Sequence, residues 1–387
     1  MKIFFNKAIY KILRTLIVLF TSQNQKRLLF IQESFSGSNT YALYKLAGDK
    51  IKNKYELLLL RNSDSEMSLI SFIKWYRIIA SSKVIFTTHA SYKPSKKHIH
   101  YQLWHGGSTK KMGAMEHGIT EVFKPAKSWL EVDYIMSYSE TYTTFLNACM
   151  VTDPKKYVIS GAPRNDLLLS YNGKEGIKKI FGNNFADSNL IWFAPTFRDY
   201  FGKSQGDKKF NNPFGFDKFN VDSFDKFLDS LNCKLILKPH PHEELLILKY
   251  FKDFPSRNML ILRTEDLLHF ELDFYELLNS AEMLITDYSS LFYDFLLLDK
   301  PMIFTPVDVE KYEIDRGFLM ESYIDYVPGP IALDQESLQK EIEKCFNDTE
   351  YYKERRDWML NLHHRYKDAN SSTRIFKFID NQLNNLN

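Results

Sequence analysis

A chain of 387 residues with 31 Phe and 23 Tyr exceeds the usual single-domain size and is apolar enough to fill two sizeable cores. Its formal net charge of +3 excludes a general affinity for nucleic acid, so any basic function must be local. Cys149, Cys233 and Cys345 are far apart, with no metal-ligand or Cys-x-x-Cys spacing, and read as reduced thiols of a cytoplasmic protein.

The N-terminal stretch MKIFFNKAIYKILRTLIVLF sets Lys2, Lys7, Lys11 and Arg14 among large apolar residues. Its longest apolar run, 16–20, is far short of the roughly 20 residues that cross a bilayer, and no small-residue cleavage site follows. A basic amphipathic helix on an anionic membrane surface fits the pattern; the alternative is an ordinary helix packed on the domain.

Short, β-rich apolar runs then alternate with helical patterns. Residues 27–33 (RLLFIQE), 55–61, 83–88, 99–104, 134–139 and 157–161 are the predicted strands of a first half. A second half repeats the pattern at 190–196 (LIWFAPT), 234–238, 259–263, 283–287 and 301–305. Runs that are apolar throughout indicate strands covered on both faces, as in parallel α/β sheets. Two Rossmann-like halves follow. The Gly- and Asn-punctuated stretch LLLSYNGKEGIKKIFGNNFADS predicts the boundary between them. The expected division is a membrane-associating segment 1–20, a first domain 21–175 and a second domain 176–387, whose last helices are candidates to pack back on the first.

In open α/β sheets ligands gather at the carboxyl ends of the strands. Four such ends carry unusual chemistry: Trp104-His105-Gly106, Ala194-Pro195-Thr196-Phe197-Arg198-Asp199, Lys238-Pro239-His240-Pro241 and Thr286-Asp287-Tyr288-Ser289-Ser290. Singly, each has a bland account: His105 as a structural hydrogen-bonding residue, Lys238 and His240 as loop caps, Ser289 or Ser290 as a helix N-cap. Together, two hydroxyls at a helix start with Arg198, Lys238 and one or two histidines suit a pyrophosphate and its developing charge.

YQLWHGGSTKKMG, GAPRNDLL, FAPTFRD, LILKPHP, LITDYSSLFYDFLLLDKPMIF, the Arg316-Gly317 pair and the late NSSTRI resemble, in order, the motif series of the CDP-glycerol:poly(glycerophosphate) glycerophosphotransferases. The resemblance spans roughly residues 99–375, and the ordered series is more specific than any one motif. It implies a GT-B architecture of two Rossmann-like domains facing a cleft. It also implies transfer of glycerol phosphate from CDP-glycerol to a hydroxyl of a lipid-linked or oligomeric acceptor, releasing CMP, in teichoic acid or capsule polymer synthesis at the cytoplasmic membrane face.

Carried over by motif, His105 is the expected general base, with Gly106, Gly107 and Ser108 as an acceptor loop open to the approaching substrate. His240 is expected to bind the donor phosphates or assist departure of CMP. Arg198, Lys238, Ser289 and Ser290 are expected to hold the pyrophosphate, Asp287 to fix the loop, and Arg316 to contribute on the donor side.

The chain departs from the family at Gly107-Ser108, where Thr-Pro is usual, and at Ala369, where the late motif has Gly. The donor motifs are intact. With no Asp-x-Asp, no metal is required, and magnesium stimulation is compatible. CDP-ribitol users share these motifs, and the competing readings are a nucleotide-sugar glycosyltransferase or epimerase on the same fold, or a catalytically silent membrane scaffold.

Overall fold

The computed structural model describes residues 7–34, 36–61, 68–107, 109–118, 129, 131–200 and 203–385. Six strands build the first sheet: β1 (Asn24–Gln32), β2 (Glu56–Arg61), β3 (Ser82–Thr87), β4 (Ile99–Gln102), β5 (Tyr134–Ser137) and β6 (Tyr157–Ile159). They run parallel in the order β2-β1-β3-β4-β5-β6. The second half contributes β7 (Asn189–Phe193), a short antiparallel pair β8 (Asp199–Tyr200) and β9 (Lys203–Ser204), then β10 (Cys233–Leu237), β11 (Met259–Ile261), β12 (Met283–Thr286) and β13 (Met302–Phe304). Its parallel sheet has the order β11-β10-β7-β12-β13.

Strands with no polar alternation must be covered twice, and these are. In β1, Leu28, Phe30 and Phe86 of β3 face a core completed by Ile375, Phe376 and Ile379 of the helix Ser371–Asn384. Leu29, Ile31 and Ile85 face the helix Leu69–Ser81 through Phe72, Tyr76 and Ile79. The second sheet is sandwiched likewise, with Trp192 and Leu284 on one side and Ile191, Phe193 and Phe224 on the other.

The last helix therefore belongs to the first domain, and its start is fixed from a distance. Asn370 gives it no side-chain cap; Asp166 instead accepts the Ser371 N–H at 2.9 Å and the Ser372 N–H at 2.7 Å. Two motifs separated by about two hundred residues of sequence, GAPRNDLL and NSSTRI, thus form one structural unit.

The chain crosses between the domains earlier than the Gly and Asn punctuation predicts. Leu167 and Leu168, on the helix Pro163–Ser170, already lie in the core around Trp192, as does Ile177 on the helix Gly173–Phe181. Gly173 and Gly176 are not linker residues. A Cβ on Gly173 would fall 2.5 Å from the Leu277 carbonyl oxygen, and one on Gly176 would fall 2.1 Å from the Leu277 side chain. Close packing, rather than chain flexibility, requires them.

In both sheets the direction of strand addition reverses at one place: between β1 and β3 in the first, between β7 and β12 in the second. Those are the switch points where open α/β sheets leave a crevice.

Candidate active site

A cleft of about 560 Å³ lies between the two switch points, with His89, His105 and Lys110 on one wall and Lys238, His240 and Ser290 on the other. His105 follows β4 on a backbone that Trp104 enters at φ +47°, a left-handed conformation costly for a bulky residue and characteristic of functional loops. The strain is held by Asn39, whose amide donates to the carbonyls of Leu103 and Trp104, each at 3.0 Å.

His105 Nδ1 lies 3.0 Å from the Thr88 carbonyl oxygen. A carbonyl only accepts, so Nδ1 carries the proton and Nε2 is left as a bare acceptor. Burial, followed by the neighbouring His89 and Arg164, pushes the pKa down to about 3, so the ring is neutral throughout the physiological range.

His240 has the opposite tautomer. Its Nδ1 accepts the His242 backbone N–H at 3.4 Å, leaving Nε2–H as a donor, and its ring stacks on Phe197 with centroids 4.2 Å apart. Burial, then His242 and Lys238, takes its pKa to about 4. One wall offers a proton acceptor, the other a proton donor.

The donor-side loops are tied together by carboxylates. Asp287 accepts the N–H groups of Thr196 and Tyr288, both at 2.6 Å, and pairs with Arg198 at 2.9 Å. Burial works against its ionisation, yet Arg198 and Lys208 hold its carboxyl below the usual range.

Arg198, expected at the pyrophosphate, is buried with its guanidinium taken up by protein partners. It is 3% exposed, and both edges of its guanidinium are engaged: Nε and Nη2 donate to Asp308 at 3.0 and 2.9 Å, and Nη1 donates to the Thr196 carbonyl at 2.9 Å. It is the scaffold under the donor loop. Lys238 reaches the cleft but donates to Glu244 at 3.1 Å and to the Pro239 carbonyl at 3.0 Å. Ser289 and Ser290 precede a helix of little more than one turn, Leu291–Phe295. Arg316 lines the cleft and pairs with Glu116 at 3.3 Å.

Gly106 and Gly107 meet a requirement other than substrate approach. A Cβ on Gly106 would stand 2.7 Å from Ser290 Oγ, and one on Gly107 would stand 2.2 Å from the Tyr293 ring. Only glycine lets the base loop press this closely on the donor loop. Ser108 lies outside the described residues. Beyond it the same segment is stitched to the second domain: Lys111 N–H donates to the Gly317 carbonyl at 3.1 Å, and Leu319 N–H donates to the Thr109 carbonyl at 3.0 Å.

That stitching places Lys110, for which the motif series predicts no role, inside the cleft. Burial pulls its ammonium down to about 7, against the attraction of Asp287 and helped by Arg198 and Arg316. Lys208 is lowered in the same way to about 8. Among the described residues no group of three His, Cys, Asp or Glu side chains is arranged to hold a metal ion.

A family model described as CDP-Glycerol:Poly(glycerophosphate) glycerophosphotransferase matches residues 13–381. The chain belongs to that family. It is 28% identical to the teichoic acid glycerol-phosphate primase of Bacillus subtilis (strain 168), over 82% of this chain and 78% of the relative. It is 30% identical to the teichoic acid poly(glycerol phosphate) polymerase of Bacillus spizizenii, over 84% and 85%. The structure of the wall teichoic acid polymerase TagF superimposes with a TM-score of 0.73 at 20% identity, over 97% of this chain and 94% of that one. The architecture is accordingly GT-B-like, two Rossmann-like domains about a cleft, and this glycerophosphotransferase carries its motifs at the cleft and at the contacts that hold the domains together.

Proposed function

We propose that the chain transfers glycerol phosphate from CDP-glycerol to a hydroxyl of a lipid-linked or oligomeric phosphopolyol acceptor, releasing CMP, in the building of teichoic acid or a related capsule polymer. The observation that carries this reading is the pair of opposed tautomers, with bare Nε2 of His105 on one wall and Nε2–H of His240 on the other. Family membership supplies the donor class.

The acceptor hydroxyl gives its proton to His105 Nε2 as its oxygen attacks the β-phosphorus of the donor. The new P–O bond forms while the bond to the bridging oxygen breaks, and CMP leaves with that electron pair. His240, Lys110 and Ser290 are placed to bind the anionic oxygens, so charge is met by side chains and magnesium is not obligatory. The histidine needs no deprotonation before turnover, because it is neutral already.

Membrane attachment belongs to the same reading. No helix of the described residues is long and apolar enough to cross a bilayer. The helix Lys7–Leu19 instead presents Ile9, Ile12, Leu16 and Leu19 outward, beside the exposed Lys11 and Arg14, and suits the anionic cytoplasmic face. Met1–Asn6, including Lys2, lie outside the described residues.

The test is CMP release by the purified chain from a panel of CDP-glycerol, CDP-ribitol and UDP-sugars, with a lipid-linked acceptor, with and without chelator. Turnover of CDP-glycerol that survives chelation is expected. Turnover of UDP-sugars alone would defeat the reading.

A further inference from the structure

Two residues behind His105, Glu33 and His89, have no part in the scheme above. Glu33, just past β1, accepts backbone N–H groups from the turn that follows β3: its Oε2 takes His89 at 2.7 Å and Thr88 at 3.3 Å, and its Oε1 takes Ala90 at 3.2 Å. The register of β1 on β3, with Phe30 opposite Phe86, brings these strand ends side by side although no sequence motif joins them. That same turn does two things to His105. It presents the Thr88 carbonyl to Nδ1, and it lays the His89 ring flat on the His105 ring, with centroids 4.0 Å apart and planes 4° from parallel.

The His89 ring is itself oriented. Its Nδ1 lies 2.9 Å from the Thr88 hydroxyl and 3.4 Å from Glu33 Oε2. Trp104 also contacts the His105 ring, with centroids 4.0 Å apart. The tautomer that leaves Nε2 bare, and the direction in which it points, both depend on a turn whose own N–H groups are gathered by one carboxylate.

We propose that Glu33 and His89 are positioning residues for His105: the carboxylate fixes the turn at 88–90, and through it the Thr88 carbonyl and the His89 ring fix the tautomer and orientation of the proton acceptor. This rests on the reading of His105 given above. Among the described residues no carboxylate is hydrogen-bonded to His105, and Arg164, which donates to the His105 carbonyl at 2.6 Å, is positive. When the ring becomes an imidazolium, Glu33 is a negative charge one stacked ring away. It is kept ionised because the His89 and backbone N–H contacts outweigh burial, the largest single influence on it. The His89 ring lies face to face with the His105 ring.

The experiment measures kcat and KM for CDP-glycerol in Glu33→Ala, Glu33→Gln, His89→Ala and His89→Phe, each alone and combined with His105→Ala. Outer partners that orient metal-bound histidines commonly cost about 10–100-fold when removed, and a loss of the same order is expected for partners that orient a proton-accepting histidine. Glu33→Ala is expected to lower kcat by that amount with KM unchanged. His89→Phe keeps a flat ring on His105 and is expected to recover most of what His89→Ala loses. In the His105→Ala background none of the four should cost anything more, because their effect passes through that ring. If Glu33→Ala does not fold, Glu33→Gln, which keeps one acceptor oxygen and drops the charge, is expected to show a smaller loss of the same kind. Losses that add to that of His105→Ala, or kcat unchanged in all four variants, would overturn the proposal. Full activity in His105→Ala alone would overturn both it and the reading beneath it.

Discussion

Arg164 and Asp294 form a buried ion pair across the domain boundary, their side chains 5% and 1% exposed. Arg164 sits in the first turn of the helix that leads into the second domain, and Asp294 follows Ser290 on the donor side. The same guanidinium donates to the backbone carbonyl of His105, and Tyr275 donates its hydroxyl to the Asp294 carboxylate at 2.7 Å. One pair therefore registers the base loop against the donor loop. Removing a single partner leaves a buried charge without its counter-ion, which typically costs about 3–5 kcal/mol. Arg164→Met and Asp294→Asn should each lower unfolding free energy by that order in urea titrations, and the surviving folded protein should turn over more slowly. A change below about 1 kcal/mol would place the pair among contacts of little weight.

His105→Ala removes the proton acceptor without touching the far wall. General-base loss is worth about 10²–10⁴-fold in rate. Turnover should fall by at least the lower figure while CDP-glycerol affinity, read by calorimetry on the same preparation, stays near that of the parent. Unimpaired turnover would show that another group takes the proton.

Why some of this was legible in the sequence and some was not follows from the range of the forces involved. Each predicted parallel strand is present because continuous apolar runs such as residues 190–193 favour a strand covered on both faces; most stop one to three residues short of the predicted end, β2 stops where predicted and β1 starts three residues earlier, since periodicity does not mark where a ladder begins or stops. His105, His240 and Ser290 were visible as chemistry at strand ends and do face one cleft. The residue type of Arg198 suits a phosphate, whereas its partners in the structure, Asp287 and Asp308, lie about ninety and one hundred and ten residues further along the chain, beyond the reach of any local motif. Glu33 and His89 gave no signal, because a lone carboxylate after one strand and a lone imidazole after another become a unit only when β1 pairs with β3. Lys110 needed the contact with Gly317–Leu319 to bring it into the cleft.

The difference between scaffold and ligand separates Arg198 from Ser290. Arg198→Met would strand Asp287 and Asp308 and should lower stability and donor binding together. Ser290→Ala deletes a hydroxyl at the cleft surface and should leave thermal unfolding unchanged while weakening transition-state binding, by up to about 2.7–4 kcal/mol if that hydroxyl meets the developing charge. Paired melting and kinetic measurements decide the matter. A stable Arg198→Met protein with only a raised KM would return Arg198 to the list of direct phosphate contacts.

Stability should fall on mild acidification, and the histidines set the sign. His100 is fully buried, with Thr87 and Ser91 hydroxyls 2.8 and 3.0 Å from its two ring nitrogens, and burial pushes its pKa down to about 3. His105 and His363 are lowered to about 3 as well, chiefly by burial. In the unfolded chain these rings titrate near the ordinary value of about 6.5, so below that pH the unfolded state binds protons that the folded state refuses. Their contribution is complete above about pH 6.5 and is lost progressively toward pH 3. The melting temperature should therefore drop steadily between pH 6.5 and 4, and His100→Gln should show a shallower drop than the parent. Equal slopes would assign the acid sensitivity to other groups.

The helix Lys7–Leu19 has two faces, and they call for point substitutions rather than truncation. Ile17 is 7% exposed and packs with Tyr10 on the helix Leu69–Ser81, where the Tyr10 and Phe72 ring centroids are 4.9 Å apart and Arg14 lies over Tyr76 at 5.5 Å. Deleting the segment would uncover that surface and confuse loss of membrane contact with loss of fold. Ile12 and Leu19 are 61% and 71% exposed and recur with Ile9 and Leu16 every three or four residues, so they share the outward face. Burying one such side chain is worth about 1.5–3 kcal/mol, and each nearby Lys or Arg adds about 1 kcal/mol on an anionic surface. Ile12→Asp with Leu16→Asp should thus cut sedimentation with phosphatidylglycerol vesicles by at least about 100-fold in partition coefficient. The melting temperature should stay unchanged, because neither side chain packs in the core. Reaction with a lipid-linked acceptor in vesicles should slow with it, whereas reaction with a soluble acceptor should not, since the cleft is untouched. Raising salt should weaken the parent's binding only in part, because screening acts on Lys11 and Arg14 and not on the apolar row. Undiminished sedimentation of the double variant would mean that the outward face is not what holds the protein to the bilayer.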